Sequence, residues 1–251
     1  MTLPAELSLP LIGINDPLAC FVHLAGAIWF GWQAQHLIRR AGPRRRRAAA
    51  LGLFALTAVA VLTISATYHG LSMENSWKAF MQRTDHAAIF LLIAGTLTSF
   101  HSICFHGSGR VWMVAVVWMV AVAALSSKLA LWSVVGDGIG LCLYLGLVAV
   151  GISSLAFLPR TMPLRSLMPL VIGGALYVGG AVTDICSPRW LIPQVFGAHE
   201  IFHLAVVGAL FLHWRFFHEW AMPAAGEATP ALDVLSAPSA FAGVLSGDGS
   251  H

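Results

Sequence analysis

An all-α integral membrane protein, built as a seven-transmembrane-helix bundle, is the fold class this sequence predicts, on three observations. The 251-residue chain is 58% hydrophobic and only 10% charged, and its mean hydropathy of +0.78 is far above that of a soluble globular domain. Its apolar residues fall into seven runs, most of them close to the ~20 residues that span a bilayer. Polar or Pro/Gly-containing breaks separate the runs, and the basic residues gather beside them, as topology determinants do.

The runs cover 17–38, 48–70, 86–105, 110–132, 138–158, 167–187 and 198–217. The first ends at Arg39 to Arg47, where Gly42-Pro43 stands among six arginines. The second is followed by the polar stretch 71–85, read as the longest loop, so the third begins near Arg83-Thr84-Asp85-His86. The fourth is the least regular, with Ser126, Ser127 and Lys128 near its end. Leu158-Pro159-Arg160 through Arg165 joins the fifth to the sixth, whose Gly173-Gly174 and Gly179-Gly180 suit close helix packing. The seventh opens at His199. Beyond Trp220 the chain turns Ala/Pro/Gly/Ser-rich and offers little periodic apolar surface. The division is thus an N-terminal segment 1–16, a membrane domain 17–220 and a flexible tail 221–251. Trp29, Trp32, Trp77, Trp112, Trp132, Trp190, Trp214 and Trp220 mostly lie near helix ends and read as interface anchors.

Composition excludes several classes of function. A net charge of +3 gives no case for nucleic acid, so partners are membrane lipids or a small lipid-like substrate or ligand. Cys20, Cys104, Cys142 and Cys186 are isolated in apolar stretches with no CxxC pair, and read as packing residues. No basic n-region precedes a short apolar core at the start, so a removable signal peptide is not expected. With seven spans, one side holds Arg39, Arg40, Arg44, Arg45, Arg46, Arg47, Arg110, Arg160, Arg165 and Arg215, and the other only Lys78, Arg83, Lys128 and Arg189. Positive charge then favours an outside N-terminus and a cytoplasmic C-terminus.

The chemistry concentrates in Gly197-Ala198-His199-Glu200-Ile201-Phe202-His203. Histidines four residues apart stack on one helical face and can share a metal ion. Ionisable groups inside hydrocarbon are costly and usually functional. The second run ends in Ser65-Ala66-Thr67-Tyr68-His69. Its end, the start of the third run and the start of the seventh face the same side, so Ser65, His69, Asp85, His199 and His203 can meet at one depth. Three neutral imidazoles with an open fourth position make a catalytic type of zinc site, which lowers the pKa of bound water to about 7. Asp85 can orient that water and take its proton, and Ser65, one turn before His69, can hydrogen-bond the water or a developing oxyanion.

Ser65-x-x-Tyr68-His69, then Asp85-His86-x-x-Ile89 with Gly95-Thr96, then His199-x-x-x-His203, resembles the progestin and adipoQ receptor family, which includes the bacterial hemolysin III proteins. The resemblance runs from about His23-Leu24-Ala25-Gly26 to His213. It implies a seven-helix bundle in a bacterial inner membrane, with zinc held by three histidines matching His69, His199 and His203 and with Ser65 and Asp85 near the metal-bound water. More distantly the pattern is similar to alkaline ceramidases, which implies hydrolysis of lipid amides. Two features depart from it: receptors of the family have a cytoplasmic N-terminus, opposite to the arginine distribution, and Asp184 adds a carboxylate where a neutral residue is expected.

Three other readings compete. His199-Glu200-x-x-His203 is a literal HExxH, the signature of metalloproteases in which the Glu activates water, but Glu200 projects about 100° from His199 and no third-ligand Asp motif is evident. Haem ligation would use His residues such as His23, His36, His86, His101, His106, His213 and His218, yet needs one His on each of two facing helices and no i,i+4 pair. A non-enzymatic receptor or sensor would use zinc as a structural staple closed by a fourth protein ligand, for which Asp85 is the candidate. If the zinc is catalytic, an elongated apolar cavity should lead from it sideways to the bilayer.

Overall fold

The computed structural model describes residues 14–158, 164–186 and 196–220. The expectations for residues 1–13, the tail 221–251, Arg160, Arg189 and Trp190 lie outside the described residues. Within them the chain forms seven α-helices: α1 Pro17–Arg40, α2 Arg45–Gly70, α3 Lys78–Cys104, α4 Gly107–Ala130, α5 Asp137–Ser153, α6 Met168–Cys186 and α7 Ala198–Trp220. Short 3-10 turns at Ser154–Phe157 and Leu164–Leu167 flank the break between α5 and α6. Six of the helices, α2 to α7, are long and apolar enough to cross a membrane. The first is 24 residues long, but His23, Gln33, Gln35 and His36 dilute its apolar character.

Two local motifs set where the outermost helices begin. Asp16 caps α1, its Oδ1 accepting from the Ala19 N–H at 3.2 Å, and Pro17 follows where its missing N–H costs nothing. At α7 the Glu200 carboxylate reaches back to accept from the Gly197 N–H at 2.7 Å, the carboxylate half of a capping box.

The start of α3 corrects the sequence reading. The helix begins at Lys78 and not near residue 86, so the loop is only 71–77 and Asp85 lies two turns inside the helix. The reason is Lys78, whose ammonium donates to the carbonyls of Tyr68 at 2.7 Å and Leu71 at 3.0 Å. A lysine that closes the C-terminal end of α2 is buried by its own hydrogen bonds, although by hydropathy it reads as loop. Lys128 does the same at the other uncertain boundary, donating to the Val135 carbonyl at 3.0 Å, and α4 stays helical to Ala130.

Packing divides the bundle into an inner and an outer set. Helices α1, α2, α3 and α7 share a core around Phe30, Phe54, Leu62, Phe100, Leu210, Phe216 and Phe217. A second cluster of Phe90, Ala94, Val117, Ala121 and Leu147 joins α3 to α4 and α5. Outward faces carry large apolar side chains, among them Leu56, Val111, Trp112, Met119, Val122, Ile139 and Val171. A soluble protein could not expose such a surface, and a lipid-embedded one must. Helix α6 lies close against α7 because Gly180 lacks a side chain: a Cβ there would stand 2.9 Å from the Ala205 Cβ.

The two ends of the bundle differ in charge. Arg39 and Arg40 end α1, Arg45 to Arg47 open α2, and Arg110 and Arg215 lie near the same end in α4 and α7. There Arg40 Nε donates to the His218 carbonyl at 2.9 Å and ties α1 to α7. The opposite end gathers the histidines.

Candidate metal centre

Five helix ends converge at the histidine side of the bundle: the cap of α1, the last turn of α2, the second turn of α3, the last turn of α6 and the first turns of α7. Four side chains there, Asp16, His69, His199 and His203, bring one potential ligand atom each to within 4.8 Å of one another. His199 Nε2 is 2.9 Å from His203 Nε2 and 3.4 Å from Asp16 Oδ2, and Asp16 Oδ2 is 3.1 Å from His69 Nδ1. Ligands bound at 2.0–2.1 Å to a tetrahedral zinc stand about 3.3 Å apart, so these separations bracket the required value.

The protonation pattern also fits a cation. His199 Nδ1 lies 3.2 Å from the Asp184 carboxylate, which when ionised can only accept, so Nδ1 carries the proton of the neutral ring. The lone pair on Nε2 then points at His203 Nε2 and at the Asp16 carboxylate. Lone pairs and a carboxylate aimed at one point repel, unless a proton or a metal ion stands between them. A set of nitrogen and oxygen donors without thiolate suits zinc among the common divalent ions.

Asp16 is held in place by its backbone and both carboxylate oxygens. Its N–H donates to the His69 carbonyl at 3.0 Å, Oδ1 caps α1, and Oδ2 faces the histidines. When a proton rather than a metal ion stands between them, burial would raise the Asp16 pKa, but hydrogen bonds from the protonated rings of His199 and His69, with their charge, hold the carboxyl well below the usual carboxylate range. The side chains of His69 and Asp16 are only 5% and 13% exposed, whereas His199 and Asp184 at 43% and 34% leave the flank between α6 and α7 open.

All five residues singled out from the sequence are at this end, at two different distances. His69, His199 and His203 are in the tight cluster. Ser65 and Asp85 form a hydrogen-bonded pair beside it, and Asp85 is near enough to His69 and His199 to feel their charge. Asp85 is not among the four clustered donors; that place belongs to Asp16. Glu200 is occupied in capping α7, which speaks against the HExxH protease. Two surface depressions, on α4 around Trp118 and Met119 and at the arginine end around Arg165 and Arg215, do not touch the histidines.

Asp16 is the residue that sequence reasoning missed, and His23 was read only as the start of the resemblance and as a candidate haem ligand. The signal was present: Asp16-Pro17 is a helix-start signature, and a spacing of seven puts His23 on the same face two turns on.

Comparison with known proteins gives two findings. A family profile described as Haemolysin-III related matches residues 13–214. The chain is also 26% identical over 222 residues to the adiponectin receptor protein of Drosophila melanogaster, across 80% of this chain and 50% of that protein. It therefore spans about half the length of this curated relative.

Proposed function

The chain belongs to the Haemolysin-III related family of multi-pass membrane proteins, and from that premise we propose that it binds zinc through His69, His199 and His203 and hydrolyses lipid amides of the ceramide type. The observation that carries this reading is the Ser65–Asp85 pair, a carboxylate and a hydroxyl hydrogen-bonded to each other beside a three-histidine cluster. A carboxylate and a hydroxyl beside an open metal position suit the activation of water.

Bound zinc supplies Lewis acidity, which makes water a competent nucleophile near neutral pH. The residues do the rest. Asp85 accepts a proton from the attacking water as its oxygen bonds to the amide carbon, then returns it to the departing amine nitrogen as the C–N bond breaks. Ser65 donates to the Asp85 carboxylate and holds it facing the reacting atoms. Asp184 orients His199 through Nδ1, the outer-sphere carboxylate that zinc-binding histidines commonly have. The seven helices, α1 included, cross the membrane, and a substrate with acyl chains enters sideways, from the bilayer, where His199 and Asp184 are partly exposed.

The test is amide hydrolysis by the purified chain in lipid. Turnover of a ceramide-like amide should fall at least about 100-fold on chelation, as expected when the group stabilising the transition state is removed, and return on adding zinc. Turnover indifferent to chelation would remove the metal from the reaction. One specific observation favours a second reading: Asp16 is a fourth protein donor, and four protein donors are the pattern of structural zinc in a receptor or sensor. Stoichiometric zinc without hydrolysis of any lipid amide would select that reading.

Charge sets the proposed sidedness. The arginine-rich end of the bundle faces the cytoplasm, with the N-terminus and the histidine cluster at the outer face. Reporters active on only one side of the membrane, fused after Trp220, should read a cytoplasmic C-terminus. The opposite result would move the cluster to the cytoplasmic face.

A further inference from the structure

His23 is a buried histidine on α1 that the proposed chemistry leaves unused. It is 3% exposed, and its Nε2 lies 3.0 Å from Nδ1 of His203. The rings meet edge to face with centroids 4.6 Å apart. The other nitrogen of His23, Nδ1, is buried and has no hydrogen-bond partner among the described residues. Natural proteins rarely leave a buried polar atom orphaned without a reason elsewhere.

The reason lies in the tautomer of His203. A neutral imidazole carries one proton, and only the nitrogen without it can bind a metal. His203 presents Nε2 to the cluster, 2.9 Å from His199 Nε2, so as a ligand it must carry its proton on Nδ1. That proton needs an acceptor, and His23 Nε2 is within hydrogen-bond distance of it. His23 must then keep its own proton on Nδ1, where no partner stands. In the reverse arrangement His23 Nε2–H would donate to His203 Nδ1, and His203 would turn an N–H toward the cluster and be lost as a ligand.

We propose that His23 is a positioning residue: it accepts the hydrogen bond from His203 Nδ1–H and so fixes the ring and the tautomer in which His203 Nε2 binds the metal. The role rests on the zinc reading of the same cluster. It makes the two α7 ligands equivalent in construction, with His199 oriented by Asp184 from α6 and His203 by His23 from α1. The different chemistry of the two partners follows their surroundings. Asp184 is 34% exposed, whereas His23 is closed to solvent, where a charged acceptor would be costly to bury and a neutral imidazole is not.

Zinc affinity of the purified full chain, measured by competition with a chromogenic chelator, tests the proposal. His23→Leu should weaken zinc binding about 10- to 100-fold, the usual effect of losing an outer-sphere partner, while still reaching the wild-type stoichiometry at saturation. His23→Gln, whose amide oxygen can accept from Nδ1–H, should recover most of the loss. The gain in Tm on adding zinc should shrink in His23→Leu; a Tm lowered equally with and without zinc, at unchanged affinity, would reduce His23 to packing. Should His23→Leu fail to fold, ¹⁵N spectra of the zinc-loaded wild type decide. They should show the Nδ1–H tautomer at His23, and the Nε2–H tautomer would overturn the role. A wild-type chain that takes up no zinc overturns the metal reading and this role together. Wild-type affinity in His23→Leu, with zinc lost in His203→Ala, overturns the role alone.

Discussion

Replacing His203 with Ala should leave purified protein without stoichiometric zinc, where the wild type is expected to carry about one ion per chain. The expected loss is large because His203 meets both other histidines of the cluster and His23 behind them. Its Nε2 is 2.9 Å from His199 Nε2, its ring centroid is 4.4 Å from that of His69, and its Nδ1 is engaged by His23. Removing it takes one of the three nitrogen donors and opens a void beside the other two. Elemental analysis after dialysis against a weak chelator provides the measurement, and full retention of metal would exclude His203 from the site.

Asp85→Asn is expected to keep most of the metal and to lose hydrolysis of ceramide-like amides by about 100-fold or more, the scale of a general base. The amide is nearly isosteric and can still pair with the Ser65 hydroxyl, so folding should be preserved, but it cannot accept a proton. Glu200→Gln should change turnover little, because the Glu200 carboxylate is spent on the Gly197 N–H and an amide oxygen can accept the same bond. Side-by-side rates for the two variants separate the proposed mechanism from that of an HExxH protease, which demands the reverse pattern.

The helices were legible because lipid imposes a length and a composition that few other constraints disturb. That the helix ends carrying His69, His199 and His203 lie on one side was legible from parity, since alternate helices bring known ends together, but the place of Asp16 among the donors was not. Charged residues that serve the backbone were not. Lys78 and Lys128 read as loop because hydropathy counts an ammonium as solvated, whereas here each is satisfied by carbonyl groups. Asp16 was hidden by the same kind of double use, one oxygen capping a helix and the other facing the histidines. His23 stands in an apolar run seven residues after Asp16, a spacing that becomes readable only once Asp16 is recognised as part of the site. Asp184 was noticed in the sequence, but only the close packing of α6 on α7 at Gly180 gives it a partner.

The site also has a history within each molecule's synthesis. Asp16 and His23 belong to α1 and its cap and His199 and His203 to α7, which is synthesised later, and the contact between His23 and His203 joins residues 180 positions apart. A nascent chain therefore holds its early donors in the membrane through most of translation without the partners that complete them. On the zinc reading, metal capture must wait until α7 has docked between α1 and α6 and brought the donors together. On that reading ion uptake would mark the finished protein, and a chain arrested before α7 should remain unloaded.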